Sequence, residues 1–365
     1  MKSSIFVLCI LVLTLGTVSL CITPTVATTN PKVVIDLSHN QGPADGNWTG
    51  NKLEALMANF EGNLTLKGYD VIWATEINES VLADVQFLFL GSVYGNESQI
   101  TDPELAVIVN WFNQGQKTIW VAGDSDYGDS LFGITNANKV LRAIGSKVRV
   151  EGTAIEDPIT NCGAAYRPRA NVTNTIDEEV ASIVAGVNET KGVLFHGPAP
   201  LYGFINGTSV ALETTTIPDV YWVMKTGASS IIVDADLVLP EAHENSEQGS
   251  FVVMTVQKFA GPTGDCKIIV SGENPYGGYQ PLYTSEYYDV ALDGATLVMN
   301  AFDWGTKIED ASVAMTNEID ELISTQANEI SALQSEVAGL QSLLYAAIGI
   351  AVIGVIVGIV SFVKK

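Results

Sequence analysis

An uncharged apolar run near the C-terminus constrains this chain more than any other feature. Residues 343–363 form a run of 21 residues without a charged side chain, and Lys364 and Lys365 follow directly. At 1.5 Å per residue such a helix is ~31 Å long, which matches a hydrocarbon core of ~30 Å. The run predicts one transmembrane helix with a cytoplasmic tail at 364–365. The alternative is a buried helix of a soluble domain, but few of those are apolar on every face.

A second apolar run lies at the N-terminus. Lys2 precedes an apolar stretch at 5–22, and a small-residue site ends at Ala27. This order predicts a secretory signal peptide over residues 1–27, and an uncleaved anchor is the alternative. The two runs together predict a single-pass type I protein of the cell membrane with an extracellular body.

Potential glycosylation sites and the cysteines fit an exterior location. The chain has seven Asn-X-Ser/Thr sequons, which predict a glycoprotein. They are Asn47, Asn63, Asn78, Asn96, Asn171, Asn188 and Asn206. Cys162 and Cys266 remain once the signal peptide is removed, and a pair outside the cell predicts one disulfide. Two unpaired thiols are the alternative.

The charge balance excludes one class of partner. The chain has 18 Lys+Arg against 41 Asp+Glu, for a net charge of −23. Nucleic-acid binding needs clustered basic side chains for phosphate contacts, and the chain has no such cluster. We therefore expect no nucleic-acid partner.

Residues 31–305, called the body below, alternate apolar strands with amphipathic helices in their first half. This alternation is typical of an α/β domain with a mostly parallel sheet. The predicted strands are 32–36, 70–73, 85–90 and 118–122, and the predicted helices are 52–68 and 102–115 with Asp102 as N-cap. Further strands at 210–212, 220–224, 231–233, 251–254 and 267–270 are expected to extend the same sheet, before a helix at 293–303.

Heptads connect the body to the apolar run, over residues 308–342. Mostly β-branched residues at a and leucines at d favour a parallel two-stranded coiled coil, so that the chain would be its own partner. The a positions are Ile323, Ile330, Val337 and Leu344, and the d positions are Ile319, Gln326, Leu333 and Leu340. An amphipathic helix lying on the body is the alternative.

Polar side chains follow three of the predicted strands. Because ligands bind at the carboxyl ends of the strands in an open parallel sheet, these residues predict a ligand-binding cleft. They are Asp36, Ser38, His39, Asp124, Ser125, Asp126, Glu273 and Asn274. Turn-forming chemistry uses the same residue types and is the alternative.

Two kinds of chemistry are considered for the loop after the fourth strand. Asp124, Asp126 and Asp129 are hard oxygen ligands at close spacing and are candidates for a Ca²⁺ site, with helix and turn capping as the alternative. Ser125 is a candidate nucleophile with His39 or His196 as base. The second glycine of a G-x-S-x-G elbow is missing, however, and flanking carboxylates disfavour an alkoxide.

These motifs resemble those of the glutamine-amidotransferase-like domains found in intraflagellar-transport proteins and in accessory proteins of gliding-type ABC transporters. The similar features are Asp36 with Ser38-His39, the Gly-Asp-Ser-Asp turn at 123–126, the Ser-Gly-Glu-Asn turn at 271–274 and the helix that ends near Trp304. The resemblance implies a flavodoxin-like (class I glutamine-amidotransferase-like) sandwich with extra strands that binds or scaffolds. Catalytic members of the superfamily need a Cys where this chain has Asp124-Ser125-Asp126.

The expected function is therefore a non-enzymatic, glycosylated surface protein of an archaeal-type envelope, with a role in scaffolding or ligand binding. S-layer proteins and ABC transporter subunits are the candidate partners. One alternative is an extracytoplasmic accessory or binding subunit of an ABC transporter. The other is a surface hydrolase that uses Ser125.

Overall fold

A computed structural model describes residues 30–41, 50–171, 178–236, 238–278, 281–307 and 311–363. The predicted signal peptide, the sequon at Asn47 and the tail at 364–365 lie outside these ranges. The described chain is a mixed α/β structure with a long C-terminal helix.

The helices and strands take the following bounds. The helices are α1 (Gly50–Leu66), α2 (Asp102–Phe112), α3 (Leu131–Ala143), α4 (Ala181–Val184), α5 (Gly294–Thr306) and α6 (Ala311–Val363). The first nine strands are β1 (Lys32–Asp36), β2 (Asp70–Ala74), β3 (Val85–Leu90), β4 (Thr118–Ala122), β5 (Val148–Val150), β6 (Ala154–Glu156), β7 (Arg169–Ala170), β8 (Val193–Leu194) and β9 (Leu201–Ile205). The others are β10 (Thr208–Ala211), β11 (Val220–Lys225), β12 (Ser230–Val233), β13 (Gln248–Gly249), β14 (Val252–Ala260), β15 (Cys266–Ser271), β16 (Glu286–Tyr287) and β17 (Val290–Ala291).

Seven strands form the main sheet, in the order β11-β14-β15-β4-β3-β1-β2. The five strands from β15 to β2 are parallel, whereas β14 and β11 run antiparallel to their neighbours. From β1 the chain adds β2 on one side of the sheet and then β3 and β4 on the other. The strand order therefore reverses between β1 and β3. The carboxyl ends of the parallel strands meet at one edge, called the carboxyl edge below, where ligands bind in sheets of this kind.

Both faces of the main sheet are covered, which explains why its strands are apolar without alternation. Leu88 and Val121 point into one core and Phe89 and Trp120 into the other. Phe89 and Trp120 stack with ring centroids 5.6 Å apart, and Phe302 of α5 packs against the same layer. Buried on both sides, these strands give a rigid base to the loops at the carboxyl edge.

The predictions for the first half are largely confirmed. The strands 32–36, 85–90 and 118–122 have the predicted bounds, and the helix predicted at 102–115 ends at Phe112. The predicted N-cap is wrong by one residue. Thr101 caps α2, because its hydroxyl accepts from the backbone N–H of Glu104 while the Glu104 carboxylate accepts from that of Thr101 at 2.8 Å.

The second half departs further from the sequence-based prediction. The strands β11, β14 and β15 extend the main sheet as expected. The other ten described strands do not join it. They form two three-stranded sheets, β10-β9-β5 and β13-β12-β6, and two two-stranded sheets, β7-β8 and β16-β17. The expectation that all the extra strands extend one sheet is therefore wrong.

The predicted disulfide is absent. Cys162 and Cys266 are both free and buried, and they belong to different clusters of packed residues. The thiol of Cys266 lies 3.2 Å from the carbonyl oxygen of Phe112 as a hydrogen-bond donor, and burial raises the pKa of Cys162 to about 11. Both cysteines therefore serve as small apolar core residues.

Three of the described sequon asparagines, Asn96, Asn188 and Asn206, are exposed. Asn63, Asn78 and Asn171 are half-buried, and the side-chain amide of Asn171 donates to the carbonyl oxygen of Glu189 at 2.7 Å. Glycosylation stays a prediction at all of them, and the exposed three are the most accessible acceptors.

Helix α6 is continuous over 53 residues and is therefore ~80 Å long. The part Thr325–Val355 is long and apolar enough to cross a membrane, and none of it is buried. The described a and d residues of the heptads are exposed, among them Ile330, Leu333 and Val337. Pairing of this face with a second copy stays a prediction.

Candidate functional site

The carboxyl edge brings together all three predicted polar loops. The loops after β1, β4 and β15 lie there, together with the loop after β3, because these four strands are parallel neighbours in the main sheet. The predicted cleft residues thus share one region of the fold. They divide into two groups with different chemistry.

The first group is a closed hydrogen-bond network around Asp36, which is fully buried. One carboxylate oxygen accepts from the backbone N–H and hydroxyl of Ser38, and the other lies 2.7 Å from Nδ1 of His39. Gln41 donates to the second oxygen at 2.6 Å. On the far side of the ring, Nε2 of His39 lies 3.5 Å from Glu104. Both carboxylate oxygens of Asp36 are engaged within the protein, so this group orders the loop after β1.

Electrostatics fit this assignment. Burial by itself would lower the pKa of His39, but the hydrogen bond and charge of Asp36 and the charge of Glu104 outweigh it and raise that pKa. A protonated His39 between two carboxylates is a stable arrangement. The hydroxyl of Tyr276 then ties this network to the neighbouring strands, since it donates to the carbonyl oxygen of Asp36 at 2.6 Å and accepts from the N–H of Gly91.

The second group is built around two acidic side chains, Asp124 and Glu273. Burial raises the pKa of Asp124 to about 7. Burial, and secondly the charge of Asp124, raise the pKa of Glu273 well above its usual value. Two buried carboxyl groups whose charges interact cannot both ionise at low cost, so the pair holds a proton at neutral pH. Unlike Asp36, the pair has no histidine or lysine in ion-pair contact in the described part of the chain.

Several buried polar atoms next to this pair lack a hydrogen-bond partner. Nine such side-chain atoms occur in the described ranges, and three lie here: Oγ of Ser92, Oε2 of Glu273 and Oδ1 of Asn274. The three residues are 6%, 4% and 2% exposed. A buried polar atom left unpaired costs ~1–3 kcal/mol, so three of them in loops at the same sheet edge call for water or a ligand.

Close backbone approach holds the group together. A Cβ added at Gly133, in the first turn of α3, would lie 2.2 Å from Oγ of Ser92 and 3.3 Å from Cβ of Asp124. A Cβ added at Gly91 would lie 2.6 Å from Oδ1 of Asn274. Glycine is therefore required at both positions for the loops after β3, β4 and β15 to pack this closely. The sequence analysis missed Ser92 and both glycines. Gly91, directly after β3, is the signal that could have pointed to Ser92, whereas Gly133 lies within α3 and carries no such signal.

Ser125 is not set up as a nucleophile. It is 2% exposed, and its hydroxyl donates to Oδ1 of Asp124 at 3.3 Å. Both ring nitrogens of His39 are engaged within the Asp36 network. Burial lowers the pKa of His196 to about 4, which makes it a weak base at neutral pH. The geometry gives no support to a Ser-His pair.

The carboxylates group differently from the predicted Asp124, Asp126 and Asp129 set, whose role as metal ligands stays a prediction. Asp126 does not form a cluster with Asp124 and Asp129. It instead groups with Asp234 and Asp236, and their carboxylate oxygens all lie within 4.8 Å of one another. The reason is topological: the segment after β12, which belongs to a separate small sheet, reaches the loop after β4, whereas Asp129 is exposed in a 3₁₀ turn.

Comparison with known proteins does not identify a family for this chain. No protein-family model matches the chain, and no curated protein sequence matches it. Among solved structures, a protein from Bacteroides uniformis described as ThuA-like matches with a TM-score of 0.41 and 12% identity, over 79% of this chain and 97% of that one. A likeness at this TM-score establishes neither a shared fold nor a shared function.

Proposed function

We propose that this chain is a non-enzymatic protein of the cell surface, anchored by one membrane span, whose body binds a small polar ligand at the carboxyl edge. The body would be a flavodoxin-like domain of the glutamine-amidotransferase-like kind. The strand order supports this, because the parallel strands follow β2-β1-β3-β4-β15, which is the flavodoxin-like order with its switch point at β1 and β3.

The unpaired atoms of Ser92, Glu273 and Asn274 carry the ligand-binding proposal. Ser92 can donate and accept, Oδ1 of Asn274 accepts, and a protonated Glu273 donates. The matching ligand is neutral or cationic and bears hydroxyl or amino groups. An anion does not match, because the charge that remains on the Asp124–Glu273 pair would repel it.

The α6 helix supports the anchoring part of the proposal, since Thr325–Val355 is apolar, exposed and long enough to span a bilayer. The type I orientation, the coiled-coil stalk and the glycans rest on the sequence. The exposed heptad side chains are available for a second copy of the same helix. A hydrolase that uses Ser125 is not favoured by any contact of that residue.

A structure of the chain purified from its native membranes, at a resolution that shows ordered water, tests the ligand site. We expect density larger than water in contact with Ser92, Glu273 and Asn274. Single waters on all three atoms would overturn ligand binding, because hydration would then satisfy the site.

Cross-linking mass spectrometry on intact envelopes tests the cellular role. Links to permease subunits would favour a transport accessory, whose ligand site serves delivery. Links mainly to itself and to lattice proteins would favour a surface scaffold.

A further inference from the structure

A second group of acidic side chains includes a residue of the loop that carries Asp124. Asp126 follows β4, and Asp234 and Asp236 follow β12, a strand of the β13-β12-β6 sheet. One carboxylate oxygen from each of the three lies within 4.8 Å of the others. Asp126 is 2% exposed and the other two are half-buried.

The two oxygens of Asp126 differ in their surroundings. Oδ2 accepts from the backbone N–H of Ala235 at 2.6 Å and of Asp236 at 3.1 Å. These bonds fix the carboxylate against the segment after β12. Oδ1 is buried and has no hydrogen-bond partner. Oδ2 therefore holds the carboxylate in place, and Oδ1 is left to contact a ligand that the three aspartates would bind.

The negative charge of Asp126 and Asp236 points to the kind of ligand. Three carboxylates meet here, and within the described ranges neither Asp126 nor Asp236 has a Lys, Arg or His nitrogen within ion-pair distance. Hydrogen bonds from backbone N–H groups satisfy only part of this charge. A cation satisfies the remainder and also supplies the partner that Oδ1 of Asp126 lacks.

We propose that Asp126, Asp234 and Asp236 bind a divalent cation of the calcium type. Ca²⁺ takes oxygen ligands at ~2.3–2.6 Å in a flexible geometry, so ligand oxygens on opposite sides of the ion are separated by up to ~5 Å. The observed spacing falls within that limit. The half-exposed Asp234 and Asp236 leave room for the waters that complete such a shell, whereas Mg²⁺ demands a tighter octahedron.

The site would join two parts of the body that are far apart in sequence. Asp234 and Asp236 begin a segment that continues to His243, whose ring lies between the carboxylates of Glu151 and Glu213. This segment is thus held at one end by a histidine and would be held at the other by the ion. Bound Ca²⁺ would order the loop that also carries Asp124.

Isothermal titration of the full chain in detergent micelles, after removal of metals with EGTA, tests the proposal. We expect saturable Ca²⁺ binding with a dissociation constant no weaker than ~10⁻³ M, as in extracellular calcium modules, and a higher thermal midpoint with Ca²⁺. Asp234→Asn and Asp236→Asn should each weaken this binding ~10-fold or more, because the count of charged ligands sets affinity. Both positions are half-buried, and circular dichroism checks that the variants fold.

Asp129→Asn is the matched control, because it removes a nearby carboxylate of the same loop that lies outside the cluster. It should bind Ca²⁺ like the unchanged chain. Three results would overturn the proposal: no saturable binding up to ~10 mM Ca²⁺, binding of Mg²⁺ but not Ca²⁺, or equal loss in all three variants.

Discussion

Replacement of Glu273 by glutamine should stabilise the protein, although the residue is buried. Glu273→Gln keeps the shape of the side chain and the oxygen that accepts from the N–H of Asn274 at 2.7 Å. It removes a carboxyl group that burial and Asp124 force toward its neutral form. In the unfolded chain the same carboxyl ionises freely, which favours unfolding as the pH rises.

The size and sign of the effect follow from proton linkage. The pKa of Glu273 in the fold lies above its usual value of 4.5, so its cost to stability is absent below pH 4.5 and grows as the pH rises toward the pKa in the fold. The growth is ~1.4 kcal/mol per pH unit. At pH 6.5 the glutamine variant should therefore exceed the unchanged chain by up to about 3 kcal/mol in free energy of unfolding. At pH 4 the two should agree.

Urea denaturation of the full chain in detergent micelles, followed by tryptophan fluorescence, measures this difference. Trp120 is a suitable reporter, because it is fully buried and its indole N–H donates to Ser271 at 2.8 Å, two residues before Glu273. Glu151→Gln is the matched control. Glu151 is equally buried but pairs with His243, so its loss should destabilise the protein by ~3 kcal/mol or more.

Two results would refute the reasoning about the acid pair. One is a difference between Glu273→Gln and the unchanged chain that does not vary between pH 4 and 6.5. The other is destabilisation by Glu273→Gln of the same size as by Glu151→Gln, because it would mean that Glu273 is ionised and paired in the fold.

Three further predictions concern other parts of the chain. Ser92→Ala should not lower the free energy of unfolding in urea, because its hydroxyl has no protein partner to lose, whereas Ser146→Ala should lower it by ~1 kcal/mol, because the Ser146 hydroxyl has two. Stability should fall as the pH rises from 6.5 toward 10, since the Glu151 and Glu213 carboxylates overcome burial and raise the pKa of His243 to about 10; thermal scans of His243→Gln should show a smaller fall. A chain that ends at 305 should be monomeric by light scattering and one that ends at 341 should associate; monomer mass for both would contradict the stalk.

The sequence is most informative where the main sheet is buried on both faces. Strands such as Val85–Leu90 and Thr118–Ala122 read as continuous apolar runs, so their bounds could be predicted to the residue. The helix Leu131–Ala143 was missed for a related reason. Its buried face contains Asn138, whose amide pairs with both backbone groups of Val150 in β5, and a buried asparagine breaks the apolar period on which helix prediction depends.

For the candidate sites too, one part could be predicted from the sequence and another could not. Polar residues directly after parallel strands could be assigned to one edge, because topology alone brings them together. Which of them stay unpaired could not be predicted, because the partners come from other elements. Glu104 of α2 contacts His39, and the partners of Asp126 come from a segment more than a hundred residues away. The short spacing in sequence favoured Asp129 as a metal ligand together with Asp126. Asp129 lies in the 3₁₀ turn that follows, however, and the carboxylates that group with Asp126 are those of Asp234 and Asp236.

The length of α6 determines how far the body stands above the membrane. If its last 21 residues lie in the bilayer, the remaining 32 of its 53 residues form a rod that rises ~48 Å above the apolar layer. Binding between molecules anchored in one membrane depends on how often their surfaces meet at the same level, so a rod of fixed length raises the local concentration of some neighbours and excludes others. Proteins that present their surfaces ~50 Å from the membrane would meet this body often, and shorter ones would pass beneath it.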